Sequence, residues 1–552
     1  MDRFGKKNAI FLFFAAGAAL LLALASRSSF LYPFNNWDDA NSYLTMGKAL
    51  FHGKVLYRDV FDQKGMYLYF LYGLAYLVSH TTFAGVFLLE LILAVADIFG
   101  FYRILELFLD RKGISAILAP VPFAALISSR SFWWGGAAEE ICLPFLIWGL
   151  FLFLRYFKTE YPRKQMALKT VFAGGILAGI IANIKFTLLG FFFAWMMCVG
   201  ISYLLIPVSK AGSALSGKDA ADAGSSGALR GDFGSRFLSA LRACGVFLFG
   251  MFLPFLPWIV YFGLHHALYE WYWGYVYVNV FLYSEVKSMG SGLFEKCYSL
   301  LKLLYNLIRA NMVYFVPAIP GIIYTMTGKG VPFISRIGTA LLFAFLYLGI
   351  FGGGRELPYY ALPLGIFGVL GAALAGRIIL WAREHIGRSR EGAPDPGEKK
   401  EPPENKSCGW ILILSAILLT AAEVLLILTN SMNIPYMKQK KEDLFLYRFR
   451  DRVLLKEDPT LLNVGCLDAG LYTLCDIVPN CRYFQTQTLH VPDKKQDPYF
   501  EQERYIEEGL TDFVIARDEV PAEIEDHYEL IDSEDTLRDG LILHYYLYEK
   551  TH

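Results

Sequence analysis

The chain has 552 residues, of which 55% are hydrophobic and only 18% are charged, and its formal net charge is zero. A soluble protein is normally about a quarter charged, and the shortfall here comes from long apolar runs, so the composition excludes an ordinary soluble protein. The zero net charge indicates no nucleic-acid partner.

Apolar segments follow one another from the N-terminus to about residue 430. Many approach or exceed the roughly 18 residues that a helix needs to cross a bilayer. The first segment follows basic residues and has no obvious cleavage site, so we expect an uncleaved helix with a cytoplasmic N-terminus. In chain order we count about twelve segments: 8–26, 66–79, 83–108, 114–129, 141–157, 170–184, 187–207, 241–262, 310–326, 335–351, 360–381 and 409–430.

Lys and Arg between the segments mark the loops expected in the cytoplasm. They cluster at 155–169, in the Gly/Ser/Ala-rich stretch 209–235 and in the Pro/Glu/Lys-rich stretch 383–407. The last two stretches have the composition of flexible, disordered linkers. With these loops on the cytoplasmic side of the plasma (inner) membrane, five segments lie on the outer side. They are the first loop, Trp133 to Glu140, 263–309, 352–359 and the chain after 430.

Three apolar segments lie between the first two outside loops, where the number of crossings must be even. The third of them, 114–129, is short and carries Pro120 and Pro122, although 66–79 is short as well. We therefore predict that 114–129 is a broken or re-entrant helix. The total is then about 11 crossings, with the C-terminus outside.

The C-terminal part differs in composition, because it is polar, acid-rich and built of short alternating runs typical of a small α/β domain. The strand candidates are Leu461–Val464, Asp512–Ala516, Tyr528–Ile531 and Leu541–Leu547, and the helix candidates are Ala469–Ile477 and Tyr499–Gly509. One unassigned disulfide is compatible with its three cysteines, Cys466, Cys475 and Cys481. We predict a transmembrane module over 1–385, a disordered cytoplasmic linker over 386–408, a last transmembrane helix over 409–431 and an extracytoplasmic domain over 432–552.

The first outside loop, from about Phe30 to Gly65, is the best candidate for the working site. Spacing from Asp39 to Leu50 predicts an amphipathic helix on the membrane surface, ended by Gly53. For any single carboxylate, a solvated charged loop is the alternative. Four carboxylates lie here among basic and aromatic residues: Asp38, Asp39, Asp59 and Asp62.

The loop carries the pattern D-D-x-x-x-Y, then G-x-x-x-Y-x-D, then D-x-K-G, directly before a hydrophobic helix. Its positions are Asp38-Asp39 to Tyr43, Gly53 to Tyr57 and Asp59, and Asp62 to Lys64-Gly65. This pattern resembles the first loop of the GT-C superfamily of membrane glycosyltransferases, in particular its protein O-mannosyltransferase-like and aminoarabinose-transferase-like branches. The prolines of the family's Lys-Pro-Pro-like element are missing here.

Further motifs follow in the family's order over roughly residues 1–385. They are Glu139 and Glu140 at the outside end of a helix, Lys185 between two helices, and Arg355 with Tyr359 and Tyr360 before a late helix. Each motif is weak alone, and the ordered set is moderately specific. The residues themselves leave other interpretations open: an acidic loop end for the glutamates, snorkelling for Lys185, and a pair with Glu356 or a lipid headgroup for Arg355.

The resemblance implies transfer of a sugar from a polyprenyl-phosphate carrier to a cell-envelope acceptor (a glycan, lipid or protein) on the outer face, with inversion. Asp38 or Asp39 would be the general base for the acceptor hydroxyl. Lys64, Arg355 and Lys185 would bind the donor phosphate. The expected substrate-binding residues are Asp59, Asp62, Tyr57, Glu139, Glu140, Tyr359 and Tyr360. No obligatory cofactor or metal is expected, although a divalent metal stays open.

Two other functional classes compete with the transferase. A transporter or flippase would use the same ionisable residues as a substrate path, but such proteins usually place charges near mid-membrane and show two related halves. A non-catalytic envelope scaffold or sensor would use the domain at 432–552 as its working part. Sugar transfer that depends on Asp38 and Asp39 separates the enzyme from both.

Overall fold

A computed structural model describes residues 3–206, 225–282, 292–327, 332–390, 407–538 without 488, 490 and 492–495, and 541–551. Its helices are α1 (Arg3–Ala25), α2 (Asp38–Phe51), α3 (Met66–Tyr76), α4 (Ala84–Phe108), α5 (Lys112–Leu118), α6 (Pro120–Ile127), α7 (Ala138–Arg155), α8 (Leu168–Ala182), α9 (Leu189–Leu205), α10 (Ser225–Phe252), α11 (Leu256–Leu264), α12 (Leu268–Trp271), α13 (Leu293–Ala310), α14 (Met312–Met326), α15 (Phe333–Phe351), α16 (Gly368–Arg390), α17 (Ser407–Asn430), α18 (Phe445–Val453), α19 (Leu471–Leu474) and α20 (Pro498–Glu507). A π-helix at Tyr272–Leu282 and a 3₁₀-helix at Pro358–Phe367 complete the transmembrane part.

The protein is a polytopic helical membrane protein with a small C-terminal sheet domain. In the part of the chain that the structure describes, eight helices are long and apolar enough to cross a membrane, or nine if α13 and α14, bent by 114°, form one broken span. The expected total of about 11 is higher because two predicted spans are short helices, namely α3 with 11 residues and α8 with 15. In the segment 114–129 the hydrogen bonding of the helix is interrupted where α6 begins at Pro120, which lacks a backbone N–H. Helices α5 and α6 together form a short apolar helix, and its re-entrant course stays a prediction.

Both predicted linkers fall largely on residues 207–224 and 391–406, which lie outside the described residues. Their flanks contradict the expectation of irregular chain. Helix α10 already begins at Ser225, and α16 continues to Arg390. The apolar helices therefore extend into stretches whose composition alone indicates a loop.

Helix α2 lies inside the protein rather than on a membrane surface. Every residue from Asp39 to Ala49 is buried, so the predicted surface helix is wrong in its surroundings although right in its position. On one side α2 crosses α3 closely, because a Cβ at Gly47 would lie 2.4 Å from the backbone nitrogen of Gly73. The C-terminal domain covers another side, and the sequence spacing could not show that cover.

The C-terminal domain is a mixed four-stranded sheet with helices α18, α19 and α20. Its strands are β1 (Leu461–Val464), β2 (Phe513–Arg517), β3 (Tyr528–Arg538) and β4 (Leu541–Lys550), in the order β1-β2-β4-β3. Strands β1 and β2 are parallel, whereas β4 is antiparallel to both of its neighbours. All four predicted strands and the predicted helix at Tyr499–Gly509 are confirmed, with β3 seven residues longer than expected. The predicted helix at Ala469–Ile477 is reduced to the four residues of α19. The three cysteines of the domain are free thiols, so the structure contains no disulfide among them.

Candidate active site

Helix α2 presents polar side chains on two different faces. Side chains three or four residues apart lie on one side of a helix. Asp39 and Tyr43 share the face toward the transmembrane helices, and Tyr359 and Tyr72 contact them there. The other polar face contacts the C-terminal domain, and we call it the docking row: Asp38, Ser42, Thr45 and Lys48.

Asp38 begins the docking row and is held by two arginines of the sheet. One carboxylate oxygen accepts a hydrogen bond from Arg517 at 2.7 Å, and the other accepts one from Arg538 at 2.8 Å. Burial raises the pKa of Asp38, but the two guanidinium groups outweigh it and hold the pKa below the usual value. Asp38 is therefore a charged link between the sheet and α2, which leaves Asp39 as the better candidate for a base.

The rest of the docking row is buried and hydrogen-bonded across the domain interface. Ser42 donates to Gln485 at 2.5 Å, and Thr45 donates to Asp468 at 2.7 Å. The ammonium of Lys48 donates to the carbonyl of Tyr472 at 2.6 Å. These contacts fix the rotation of α2 about its axis and with it the direction of Asp39.

Lys48 of the docking row and Asp468, which accepts from Thr45, make the stability of the domain interface depend on pH. Burial raises the pKa of Asp468 to about 6 and lowers the pKa of Lys48 to about 8. Because the folded pKa of Asp468 is raised, its contribution to stability is complete below its unfolded pKa, about 3.9, and is lost as the pH rises through 6. Because the folded pKa of Lys48 is lowered, its contribution is lost as the pH falls through 8.

We expect the free energy of unfolding of the C-terminal domain to fall by about 2 kcal/mol between pH 4 and pH 7 through Asp468. Asp468→Asn should flatten this part of the profile, because the amide does not titrate and still accepts a bond from Thr45. Thermal unfolding of purified wild type and variant, measured at several pH values, checks this. Profiles that stay parallel would show that Asp468 is not the titrating group.

Asp39 faces a buried polar cluster under α2. Its carboxylate accepts a hydrogen bond from the Tyr359 hydroxyl at 2.7 Å, and only 8% of the residue is exposed. The neighbouring Tyr43 hydroxyl is buried and has no hydrogen-bond partner among the described residues. Burial, together with the charges of Asp39, Asp62 and Glu139, raises the pKa of Tyr43 far above the usual value. The Tyr43 hydroxyl thus lies in a buried environment of negative charge.

Glu139 and Lys185 form a buried ion pair at the edge of this cluster. The Lys185 ammonium also lies 3.5 Å from the ring centroid of Tyr360, a cation–π contact. The second carboxylate oxygen of Glu139 has no hydrogen-bond partner within the described ranges. The pair therefore leaves one buried carboxylate oxygen without a hydrogen bond in the described part of the chain.

A cavity of about 300 Å³ adjoins the cluster, and we call it the donor cavity. It is lined by all three of the basic residues that the sequence motifs indicate, namely Lys64, Lys185 and Arg355. The remaining wall is largely apolar or aromatic: Ile184, Phe186, Val280, Ile350, Tyr275 and Tyr360. Cations around an apolar cavity suit a ligand with an anionic head and a hydrocarbon tail.

The chain around Lys64 is held in place by buried tyrosines. The Lys64 N–H donates to the Tyr69 hydroxyl at 2.7 Å, and the Lys64 carbonyl accepts from Tyr57 at 2.6 Å. Tyr69 donates in turn to Asp62, which also accepts from Gln487 of the C-terminal domain at 3.3 Å. Asp62 and Tyr57 thus support the position of the lysine.

Two predicted site residues point elsewhere. The Asp59 carboxylate accepts from the N–H of Val55 at 2.7 Å and pairs with Arg58, so it closes a turn. Glu140 accepts from the N–H of Gly136 at 2.8 Å. That contact fixes the glycine turn before α7, and Glu140 does not line the donor cavity.

Several residues of the site have no signal in the sequence. Arg517, Arg538 and Gln487 meet α2 or Asp62 only through the docking of a domain hundreds of residues away. Tyr43 stands in the loop motif, yet the sequence does not show that its hydroxyl is buried without a hydrogen-bond partner among the described residues. In the described part of the chain, no group of three or more His, Cys, Asp or Glu is arranged to hold a metal ion.

Solved structures of ArnT from Cupriavidus metallidurans match the chain over nearly its whole length. The structure bound to undecaprenyl phosphate has a TM-score of 0.53 at 12% identity, covering 96% of this chain and 97% of ArnT. The apo structure has a TM-score of 0.53 at 12% identity, covering 98% of each chain. The arabinofuranosyltransferase AftD from mycobacteria matches at a TM-score of 0.45 and 13% identity, covering 98% of this chain and 40% of AftD. No protein-family model and no curated protein sequence matches.

Proposed function

We propose that this chain, which has the fold of the GT-C membrane glycosyltransferases, transfers a sugar from a polyprenyl-phosphate carrier to a cell-envelope acceptor. The observation that carries the proposal is the donor cavity, where Lys64, Lys185 and Arg355 meet beside the cluster of Asp39. The undecaprenyl phosphate bound to ArnT has the anionic head and apolar tail that such a cavity suits.

The proposed reaction exchanges one bond at the anomeric carbon of the donor sugar. The acceptor oxygen attacks this carbon while its bond to the carrier phosphate breaks, with inversion of configuration. The acceptor proton passes to Asp39, and a general base in this position typically contributes about 10²–10⁴-fold. Polyprenyl phosphate leaves with the bonding electron pair, and because phosphate is a weak base it needs no proton at that moment.

The basic residues of the donor cavity stabilise the leaving phosphate. Arg355 can bind two phosphate oxygens at once through its planar guanidinium. Lys64 and Lys185 add point charges, and the apolar wall excludes water, which strengthens these interactions. Glu139 holds Lys185 in position and offers its second oxygen to a hydroxyl of the sugar.

The proposed topology places this chemistry on the outer face of the plasma membrane. The N-terminus is then cytoplasmic, and the domain at 432–552 is extracytoplasmic and covers α2 from above. Asp39, Lys64, Glu139 and Arg355 all lie at helix ends or loops of the same side of the bundle in this arrangement. No metal or cofactor takes part in the proposed reaction.

The proposal is tested with membranes that contain the protein, radiolabelled polyprenyl-phosphate sugars and an envelope extract as acceptor. Label should move from the lipid to the acceptor fraction only when the protein is present. Lipid-linked sugars that stay intact with every donor would refute the transferase. Label that crosses sealed vesicles while still attached to lipid would support a flippase instead.

Arg355→Lys should separate charge from geometry at the phosphate. A lysine keeps the charge but loses bidentate binding, so we expect the KM for the donor to rise by about tenfold or more. The exposed Arg58, paired with Asp59, provides the matched control through Arg58→Lys, which should leave the donor KM unchanged. Initial rates over a range of donor concentrations measure both, and equal KM values for the two variants would contradict the assignment.

A further inference from the structure

A second, smaller cavity of about 90 Å³ lies between the transmembrane part and the C-terminal domain, and we call it the interdomain cavity. Arg27 after α1, Trp134 before α7 and Arg538 at the end of β3 line it. None of these residues lines the donor cavity. The interdomain cavity is nevertheless next to the site, because Arg538 binds Asp38, the neighbour of Asp39.

Arg27 is almost fully buried at this cavity, with 3% of the residue exposed. Its guanidinium is stacked between the rings of Trp134 and Tyr436, 3.6 Å from each centroid. Its Nε donates to Asn433 at 2.9 Å and its Nη1 donates to Asn36 at 3.2 Å. The remaining nitrogen, Nη2, is buried and has no acceptor among the described residues.

A second buried donor beside it also lacks an acceptor. The indole Nε1 of Trp134, a residue only 1% exposed, makes no hydrogen bond in the described part of the chain. Leaving a buried donor unpaired is costly, and the cost is greater for a charged group. Two such donors on one cavity indicate that an acceptor group of a ligand completes the site.

The charges around the cavity favour an anion. Burial lowers the pKa of Arg27 to about 10, so the group remains cationic at neutral pH. Arg27 has no carboxylate partner in the described part of the chain, whereas Arg538, 4.5 Å from the ring centroid of Trp134, is already paired with Asp38. Of the acidic residues in the wall, Glu534 is paired with Arg448 at 2.9 Å, and Asp443, which keeps its charge, is bonded to the backbone N–H of Lys440 in the turn before α18.

We propose that the interdomain cavity binds one oxyanion, a phosphate or carboxylate group, through Arg27 Nη2 and Trp134 Nε1. The volume is sufficient for a small oxyanion. This inference rests on the proposed function. The oxyanion then belongs either to the acceptor or to a lipid headgroup of the surrounding leaflet.

The test uses the full-length protein in phosphatidylcholine nanodiscs, with inorganic phosphate as the probe and chloride at equal ionic strength as the reference. The background variant Arg355→Gln weakens phosphate binding in the donor cavity. In that background we expect phosphate to raise the Tm. Adding Trp134→Phe, which keeps the stacking ring but removes the N–H, should weaken the apparent affinity by about tenfold.

Arg27→Gln in the same background should abolish the rise in Tm with phosphate. If Arg27→Gln does not fold, Trp134→Phe alone tests the inference.

Nanodiscs with phosphatidylglycerol distinguish an acceptor group from a lipid headgroup as the source of the oxyanion. If the headgroup is the ligand, the Tm rises without phosphate and no longer responds to it. A Tm that never responds to phosphate in either kind of nanodisc, or a response equal in all variants, overturns the inference. Failure of the sugar-transfer assay alone would leave this binding result intact, so the two proposals fail separately.

Discussion

Replacing Asp39 by asparagine is expected to lower kcat for sugar transfer by about 10²–10⁴-fold, the usual contribution of a general base. The amide still accepts the hydrogen bond from Tyr359 and has nearly the same size, so the geometry of the cluster is retained. The donor KM should change little, because Asp39 does not line the donor cavity. Initial rates with labelled donor at saturating concentrations measure the effect.

Tyr359→Phe is the matched control for this experiment. It removes only the hydroxyl that points at the Asp39 carboxylate at 2.7 Å and should cost far less activity than the loss of the base. A normal rate for Asp39→Asn would contradict the role of the residue. A rate restored by raising the pH would show instead that a different group accepts the proton.

Replacing Asp38 by alanine is expected to have the largest effect on stability. It leaves Arg517 and Arg538, with side chains 19% and 17% exposed, without their shared carboxylate. Removing one partner of a buried ion pair typically costs about 3–5 kcal/mol, because the remaining charge stays buried. The C-terminal domain should therefore unfold or detach at a lower temperature, which thermal unfolding and protease sensitivity of the domain both report.

A double-mutant cycle separates the energy of the ion pair from other losses of stability caused by each substitution. Asp38→Asn, Arg538→Gln and the double variant should show that the second substitution costs little once the first is made. Additive losses of stability would contradict a direct interaction. Loss of transfer by Asp38→Asn without any loss of stability would return Asp38 to the list of candidate bases.

The sequence predicts much of the C-terminal domain and the apolar helices because these depend on local patterns. Strand β1 is found with its bounds, since a short apolar run between polar residues reports burial directly. The grouping of Lys64, Lys185 and Arg355 also follows from the sequence, but only through ordered motifs and the side of the membrane expected for each loop.

What the sequence does not predict depends on long-range docking. Asp38 and Asp39 are equivalent in the sequence, yet α2 turns one toward Arg517 and the other toward Tyr359. That difference of one residue is a rotation of about 100° around the helix axis. It is decided by a domain whose nearest contact residue, Asp468, stands more than 400 positions later. Nothing in the local pattern of the loop contains this information.

The pairing of Asp38 with Arg517 and Arg538 also sets an order of events during biosynthesis. Domains form during synthesis from the N-terminus onward, but the arginine partners of Asp38 are made more than 450 residues after it. Until strands β2 and β3 have been made and lie on the same side of the membrane as the first loop, the carboxylate of Asp38 has no arginine partner. Lys48 is likewise not yet buried by the C-terminal domain. The site therefore assembles only after the C-terminal domain has been made, and a chain that ends before β2 lacks the contacts that orient Asp39.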